Sequence, residues 1–257
     1  MRERGSYRRF SKLTTSLLAP TGSWVWLLVI CAAIDVPSPA FADDGSYRVL
    51  HPVGGERHPA VLLVPGCSGF TANNGINVYD ERAAELQAAG NTVVYVDYIS
   101  KRMQSNCAHI GRSEVSADIL DAAKWAAAQS DVDASHIFAI GWSNGGGGVL
   151  AALNAAPPEP RIAKAVVYYP VCRGAGPWSA TTSGLMLLGA EDDIAPPALC
   201  NVAIKGVPPD RLRTITYPNA RHGFDMRGLA QAKVPGAPAY DPDAATASWA
   251  AMMDFLK

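Results

Sequence analysis

Ile137-Phe138-Ala139-Ile140-Gly141-Trp142-Ser143-Asn144-Gly145-Gly146 runs an apolar segment straight into a serine flanked by glycines, and Val149-Leu150-Ala151-Ala152 follows. Four apolar residues ending at a glycine turn read as a buried strand, and the alanine-rich stretch beyond reads as a helix. Gly-x-Ser-x-Gly between a strand and a helix marks a sharp turn. Such a turn holds the serine in strained backbone geometry with its hydroxyl exposed. Glycine is needed two residues to either side because a β-carbon there would collide with the strand and the helix. The helix that follows points the positive end of its dipole at the serine, where a developing oxyanion would sit. Gly145 to Gly148 could also suggest a phosphate cradle, but no lysine follows as that motif requires.

Working outward, short apolar runs alternate with helical patterns, which implies β-α units on a mostly parallel sheet. Strands are expected at 60–64, 92–97, 137–140, 165–169, 185–188 and 213–217. Four of these are nearly continuous apolar runs, as strands covered by helices on both faces require. Helices are expected over 78–89, 113–129, 146–155 and 242–256. Within the second, Ile119, Ala122, Ala123 and Ala126 fall on one face.

A serine hydroxyl attacks a carbonyl only when a base takes its proton. Of the five histidines, His51 and His58 lie among prolines and glycines and are expected at the surface. His109 sits in a polar loop, and His136 opens the serine's own strand, at the sheet end opposite Ser143. His222, just beyond the last expected strand, is the candidate base. A carboxylate to orient it should lie between serine and histidine in the chain. Glu191, Asp192 and Asp193 end one strand, and Asp192 is the first choice. Two backbone N–H groups are needed for the oxyanion. Asn144 supplies one, and Cys67 in Val64-Pro65-Gly66-Cys67-Ser68-Gly69 is the preferred second donor.

These segments resemble the dienelactone hydrolase family of the α/β-hydrolase fold over nearly all of residues 47–257. The resemblance rests on Gly-Trp-Ser-Asn-Gly-Gly, on Gly189-Ala190-Glu191-Asp192 with Pro196, and on Tyr217-Pro218-Asn219-Ala220-Arg221-His222-Gly223-Phe224. It implies an α/β fold with a mostly parallel central sheet, a triad of Ser143, Asp192 and His222, and no cofactor or metal. It also implies a geometry for four cysteines, with disulfides Cys67–Cys107 and Cys172–Cys200 at the rim of the site. The founding members use cysteine as nucleophile and a glutamate in the oxyanion loop, where this chain has Ser143 and Gly66. Those members hold a substrate carboxylate with arginines. Arg102 and Arg227, with Lys101, stand at roughly comparable places here. Trp142 and Trp178 are candidates either for an apolar cleft wall or for the core.

Composition bounds the rest. The chain has 257 residues, 49% hydrophobic and 18% charged, which describes a globular domain with a sizeable core. A net charge of −1 without a basic, aromatic-interleaved stripe gives no reason to expect nucleic acid. Arg2, Arg4, Arg8, Arg9 and Lys12 precede the apolar run Trp24 to Ile34, and Ala40-Phe41-Ala42 follows. That order marks residues 1–42 as a secretory signal peptide, and the apolar run is too short to span a bilayer. The expectation is an exported, periplasmic or secreted protein with no membrane anchor after cleavage, and a single domain over 43–257. The four cysteines beyond residue 42 are an even count, which suits disulfides in an oxidising compartment. A small-molecule ester or lactone is the expected substrate. The alternatives are a binding protein with a vestigial triad, or a peptidase or acyltransferase using the same groups.

Overall fold

The computed structural model describes residues 42–43, 47–155, 159–179, 181–229 and 236–257. The signal peptide expected at residues 1–42 lies outside these apart from Ala42. Among the described residues no helix is long and apolar enough to cross a membrane.

Eight strands form one sheet: β1 (Ala42–Asp43), β2 (Arg48–Leu50), β3 (His58–Val64), β4 (Thr92–Tyr95), β5 (Val132–Trp142), β6 (Ile162–Tyr168), β7 (Ser183–Gly189) and β8 (Leu212–Tyr217). Their order is β1-β2-β4-β3-β5-β6-β7-β8. β1 and β2 pair antiparallel at one edge, and all pairs from β4 to β8 are parallel. Parallel strands need crossover connections, and α1 (Val78–Ala88), α2 (Arg112–Ala127), α3 (Ser143–Asn154) and the short α4 (Asn201–Ile204) lie in four of them. α5 (Pro242–Leu256) closes the chain, with Asp241 accepting at its N-terminus from the N–H groups of Asp243 and Ala244.

The alternation of side chains along each strand splits the core in two. Ala60, Leu62 and Val64 pack with Val115 and Ile119 of α2 and with Val149 and Leu150 of α3. Val61 and Leu63 face the other way, against Val78, Ala83 and Leu86 of α1 and Met252 and Leu256 of α5. With helices on both faces, these strands have no solvent-facing side, which is why they read as unbroken apolar runs.

Several elements differ from the sequence reading. β5 extends back to Val132 through the polar stretch Asp133–His136, whose side chains are mostly exposed. α3 starts at Ser143, three residues before the expected start, through a glycine run that intrinsically disfavours helix. Packing overrides that preference: a β-carbon on Gly148 would lie 2.9 Å from Cβ of Val115 on α2. β2 is a three-residue strand that no periodicity in so short a segment could reveal.

The disulfides are the pair implied by the resemblance, Cys67–Cys107 and Cys172–Cys200. Each ties loops at the carboxyl ends of the parallel strands. Replacing Cys172 and Cys200 together by alanine is expected to lower stability by about 2–5 kcal/mol, because the unfolded chain regains loop freedom. A urea midpoint equal to that of the parent protein would contradict this.

Candidate active site

β3 and β5 are neighbours, yet the chain leaves β3 toward β4 on one side and leaves β5 toward β6 on the other. Such a switch point opens a crevice beyond the carboxyl ends of the two strands. Two loops meet there, residues 65–69 after β3 and the turn at Ser143 after β5. Ser143 has φ of 51°, the left-handed region that costs a side-chain-bearing residue about 1–2 kcal/mol. Neighbouring glycines make the turn sterically possible. A β-carbon on Gly141 would lie 2.8 Å from Gly146 and Val149, and one on Gly145 would lie 2.8 Å from the Val64 carbonyl carbon and closer still to the Val64 and Pro65 oxygens.

His222 joins this crevice from the loop after β8, and Asp192 from the loop after β7. His222 Nε2 lies 2.8 Å from Ser143 Oγ, and His222 Nδ1 lies 2.8 Å from Asp192 Oδ2. With Nδ1–H donated to the carboxylate, Nε2 is left as the acceptor for the serine O–H. The Asp192 side chain is 1% exposed and that of His222 is 12% exposed, so this hydrogen bond sits in a poorly screened setting. The other oxygen, Asp192 Oδ1, accepts from the N–H groups of Ile194 (2.9 Å) and Ala195 (2.8 Å), which fixes the carboxylate's orientation. Glu191 instead accepts from Arg221, and its backbone N–H donates to Ala220 O, clamping the two loops together.

Two buried tyrosines hold the loop after β3. Gly66 N–H donates to Tyr79 Oη of α1 at 3.0 Å, which commits it, and the next N–H along the loop is that of Cys67. Tyr98 Oη lies 3.3 Å from Pro65 O and 3.2 Å from Gly66 O, and Asn144 Nδ2 donates to it at 3.1 Å. Burial pushes the Tyr98 phenol up to about 12, so it stays a donor to those carbonyls at any physiological pH. Cys107 N–H donates to Cys67 O at 3.0 Å beside the disulfide, a further tie on the same loop. Asn144 is the second residue of α3, and its N–H is among the four that a helix leaves without an internal acceptor.

Ser143 and His222 open on a cleft of 280 Å³, whose wall includes Ile194, Met226, Leu229 and Pro238. Arg102 and Arg227 are not in that wall, contrary to the reading from sequence. Arg102 pairs with Asp118 and Glu114 of α2 and donates to Tyr98 O, and Lys101 also pairs with Asp118. Arg227 pairs with Glu81 of α1. Trp142 borders the cleft but has no exposed surface; its ring stacks on Tyr168, so it is core under the site rather than a substrate platform. Trp178 is likewise core, with its indole N–H donating to Thr182 O at 2.9 Å. His58 is half-buried rather than a surface residue.

Residue type alone does not define a relay. Asp133, Ser135 and His136 also cluster within 3 Å, with His136 Nδ1 lying 2.9 Å from Ser135 Oγ and 2.7 Å from Asp133 Oδ2. Both partners crowd one ring nitrogen, and the group lies exposed on the amino-terminal half of β5. Ser143, His222 and Asp192 use the two ring nitrogens in series, from three different strand ends. Sequence reasoning passed over Tyr79, Tyr98, Tyr169 and Asp225, which carry no motif of their own. Tyr169 lines the cleft, with its ring 4.7 Å from that of His222.

The family model described as the dienelactone hydrolase family matches residues 48–257. Among solved structures, the chain is similar to a dienelactone hydrolase-like promiscuous phosphotriesterase from metagenomic libraries. There the identity is 21%, the coverage is 85% of this chain and 95% of the other, and the TM-score is 0.65. It is also similar to a thermophilic esterase of the Planctomycetes species Thermogutta terrifontis with propionate bound, at 15% identity, 82% and 88% coverage and a TM-score of 0.57. At these identities the structural likeness speaks for the fold. No curated protein sequence matches the chain.

Proposed function

The chain belongs to the dienelactone hydrolase family, and on that premise we propose that it hydrolyses a carboxylic ester or lactone through an acyl-enzyme on Ser143. The observation that carries this is the series Ser143–His222–Asp192, with both contacts at 2.8 Å and opening on a cleft. In this reading His222 Nε2 takes the serine proton as Oγ attacks the carbonyl carbon. The imidazolium so formed is held by Asp192, and the oxyanion is bound by the N–H groups of Asn144 and Cys67. His222 then gives its proton to the departing alkoxide. Water, deprotonated by the same nitrogen, attacks the acyl-enzyme and frees the acid.

An apolar wall of Ile194, Met226, Leu229 and Pro238 suits the hydrocarbon part of a small ester. With Arg102 and Arg227 engaged by carboxylates of the protein, a carboxylate-bearing substrate is not favoured over a neutral one. The two disulfides support maturation in an oxidising compartment, and with it removal of residues 1–42 and a mature domain from residue 43 onward.

The test uses p-nitrophenyl acetate and butyrate together with a fluorophosphonate. Turnover is expected, with stoichiometric phosphonylation that peptide mass spectrometry maps to Ser143. Absence of both turnover and label, or a label elsewhere, would overturn the proposal.

A further inference from the structure

Asp225 is a carboxylate that the proposed reaction leaves unexplained. It stands three residues after His222, is 2% exposed, and accepts Trp142 Nε1–H at 2.8 Å and Tyr169 Oη–H at 2.6 Å. The indole N–H can only donate, so Oδ2 must accept. An oxygen–oxygen separation of 2.6 Å falls in the range for a hydroxyl donating to an ionised carboxylate. Burial pushes this carboxyl up, while the bonds from Tyr169 and Trp142 and the positive charge of Arg82 on α1 pull it back down. Burial also holds the Tyr169 phenol far above its ordinary value, so it remains a donor.

The three segments joined by Asp225 are the ones the site needs in register. Trp142 is the residue before Ser143. Tyr169 directly follows β6 with φ of 35°, an uncommon conformation for a side-chain-bearing residue, and its N–H donates to Leu187 O at 2.7 Å. Its ring lies 4.7 Å from the His222 ring at an interplanar angle of 59°. A phenol that donates to a carboxylate has a more electron-rich ring, and a cation within about 6 Å of such a face is attracted to it. Neutral imidazole gains little from this, whereas imidazolium gains, so the contact strengthens as the reaction proceeds.

We propose that Asp225 and Tyr169 form a positioning pair which, through the Tyr169 ring, favours the positive charge that His222 acquires when it takes the serine proton. The proposal rests on the hydrolase reading above. Besides this pair, the polar and ionisable groups around His222 among the described residues include Asp192 at Nδ1, Ser143 at Nε2, Asp193 next to Asp192, and the flanking Glu191–Arg221 pair. Arg82 and Tyr79 of α1 lie behind, acting on Asp225 and Tyr169 respectively.

The experiment records kcat/KM against pH for the parent protein, Asp225→Asn, Tyr169→Phe and the double variant on a p-nitrophenyl ester. The acidic limb reports protonation of the base in free enzyme. With less support for imidazolium, the base is protonated only at lower pH. The limb is therefore expected to move down by about half a pH unit in each single variant, the scale of a cation–π contact. The double variant is expected to move no further than the singles, and kcat should fall about threefold, the same half unit expressed as a rate, while KM changes little.

A uniform loss of activity with the limb unmoved would assign Asp225 a purely structural role and overturn the pair, and so would shifts that add in the double variant. Asp225→Asn turns an amide N–H₂ toward one of two donors and can unfold the protein. Tyr169→Phe keeps the ring and carries the test alone in that case. An inert parent protein, unlabelled by the phosphonate, would remove the hydrolase reading and this pair with it. An active parent with an unmoved limb removes the pair alone.

Discussion

Ser143→Ala is expected to lower kcat on a p-nitrophenyl ester by about 10⁴-fold or more while leaving the protein folded. In the proposed reaction this hydroxyl forms the acyl bond, and removing it leaves cleft binding and the proposed oxyanion donors. The turn itself does not depend on the hydroxyl. Alanine at φ of 51° carries the same steric cost as serine, and the flanking glycines still provide the clearance. KM and the unfolding midpoint should therefore stay close to those of the parent, and the phosphonate label should vanish. Turnover within tenfold of the parent would mean that Ser143 is not the nucleophile.

Gly145→Ala is expected to destabilise the fold by about 3 kcal/mol, the upper part of the range for forcing atoms into a packed interior. The added carbon would lie 2.8 Å from the carbonyl carbon of Val64 and closer still to two carbonyl oxygens, those of Val64 and Pro65. All of these are main-chain atoms, so no rotamer change can make room. The start of α3 must instead lift away from β3, which separates the Asn144 and Cys67 N–H groups and so lowers kcat as well. Gly55→Ala is the control, because nothing lies within 4 Å of its β-carbon position. Urea unfolding of the two variants checks this, and equal midpoints would refute it.

Much of the site was legible because its signals are local. The turn at Ser143 needs glycine at 141 and 145 for steric reasons that hold whatever surrounds it. Asp192 and His222 each follow an apolar strand whose period and length are plain in the chain. Arg102 and Arg227 show where local reading fails. A charged side chain's role depends on what faces it, and their partners Asp118 and Glu81 come from helices α2 and α1. Asp225, an aspartate after Gly223-Phe224, carries no local signal at all and is among the most buried carboxylates of the described residues. The family resemblance carried the disulfide pairing, which four cysteines alone leave open among three arrangements.

The sequence by itself determined the alternation of buried strands and helices, the glycine-flanked turn at Ser143 and the order serine, aspartate, histidine. Each of these rests on the periodicity or sterics of a few consecutive residues. Only the tertiary structure decided which carboxylate meets His222, which arginines are already paired, and that Trp142 lies beneath the site. Those outcomes depend on distances between residues tens of positions apart, set by how the parallel strands stack side by side. The serine turn was readable from ten residues, whereas the buried carboxylate beneath it became visible only when β5, β6 and the histidine loop came together.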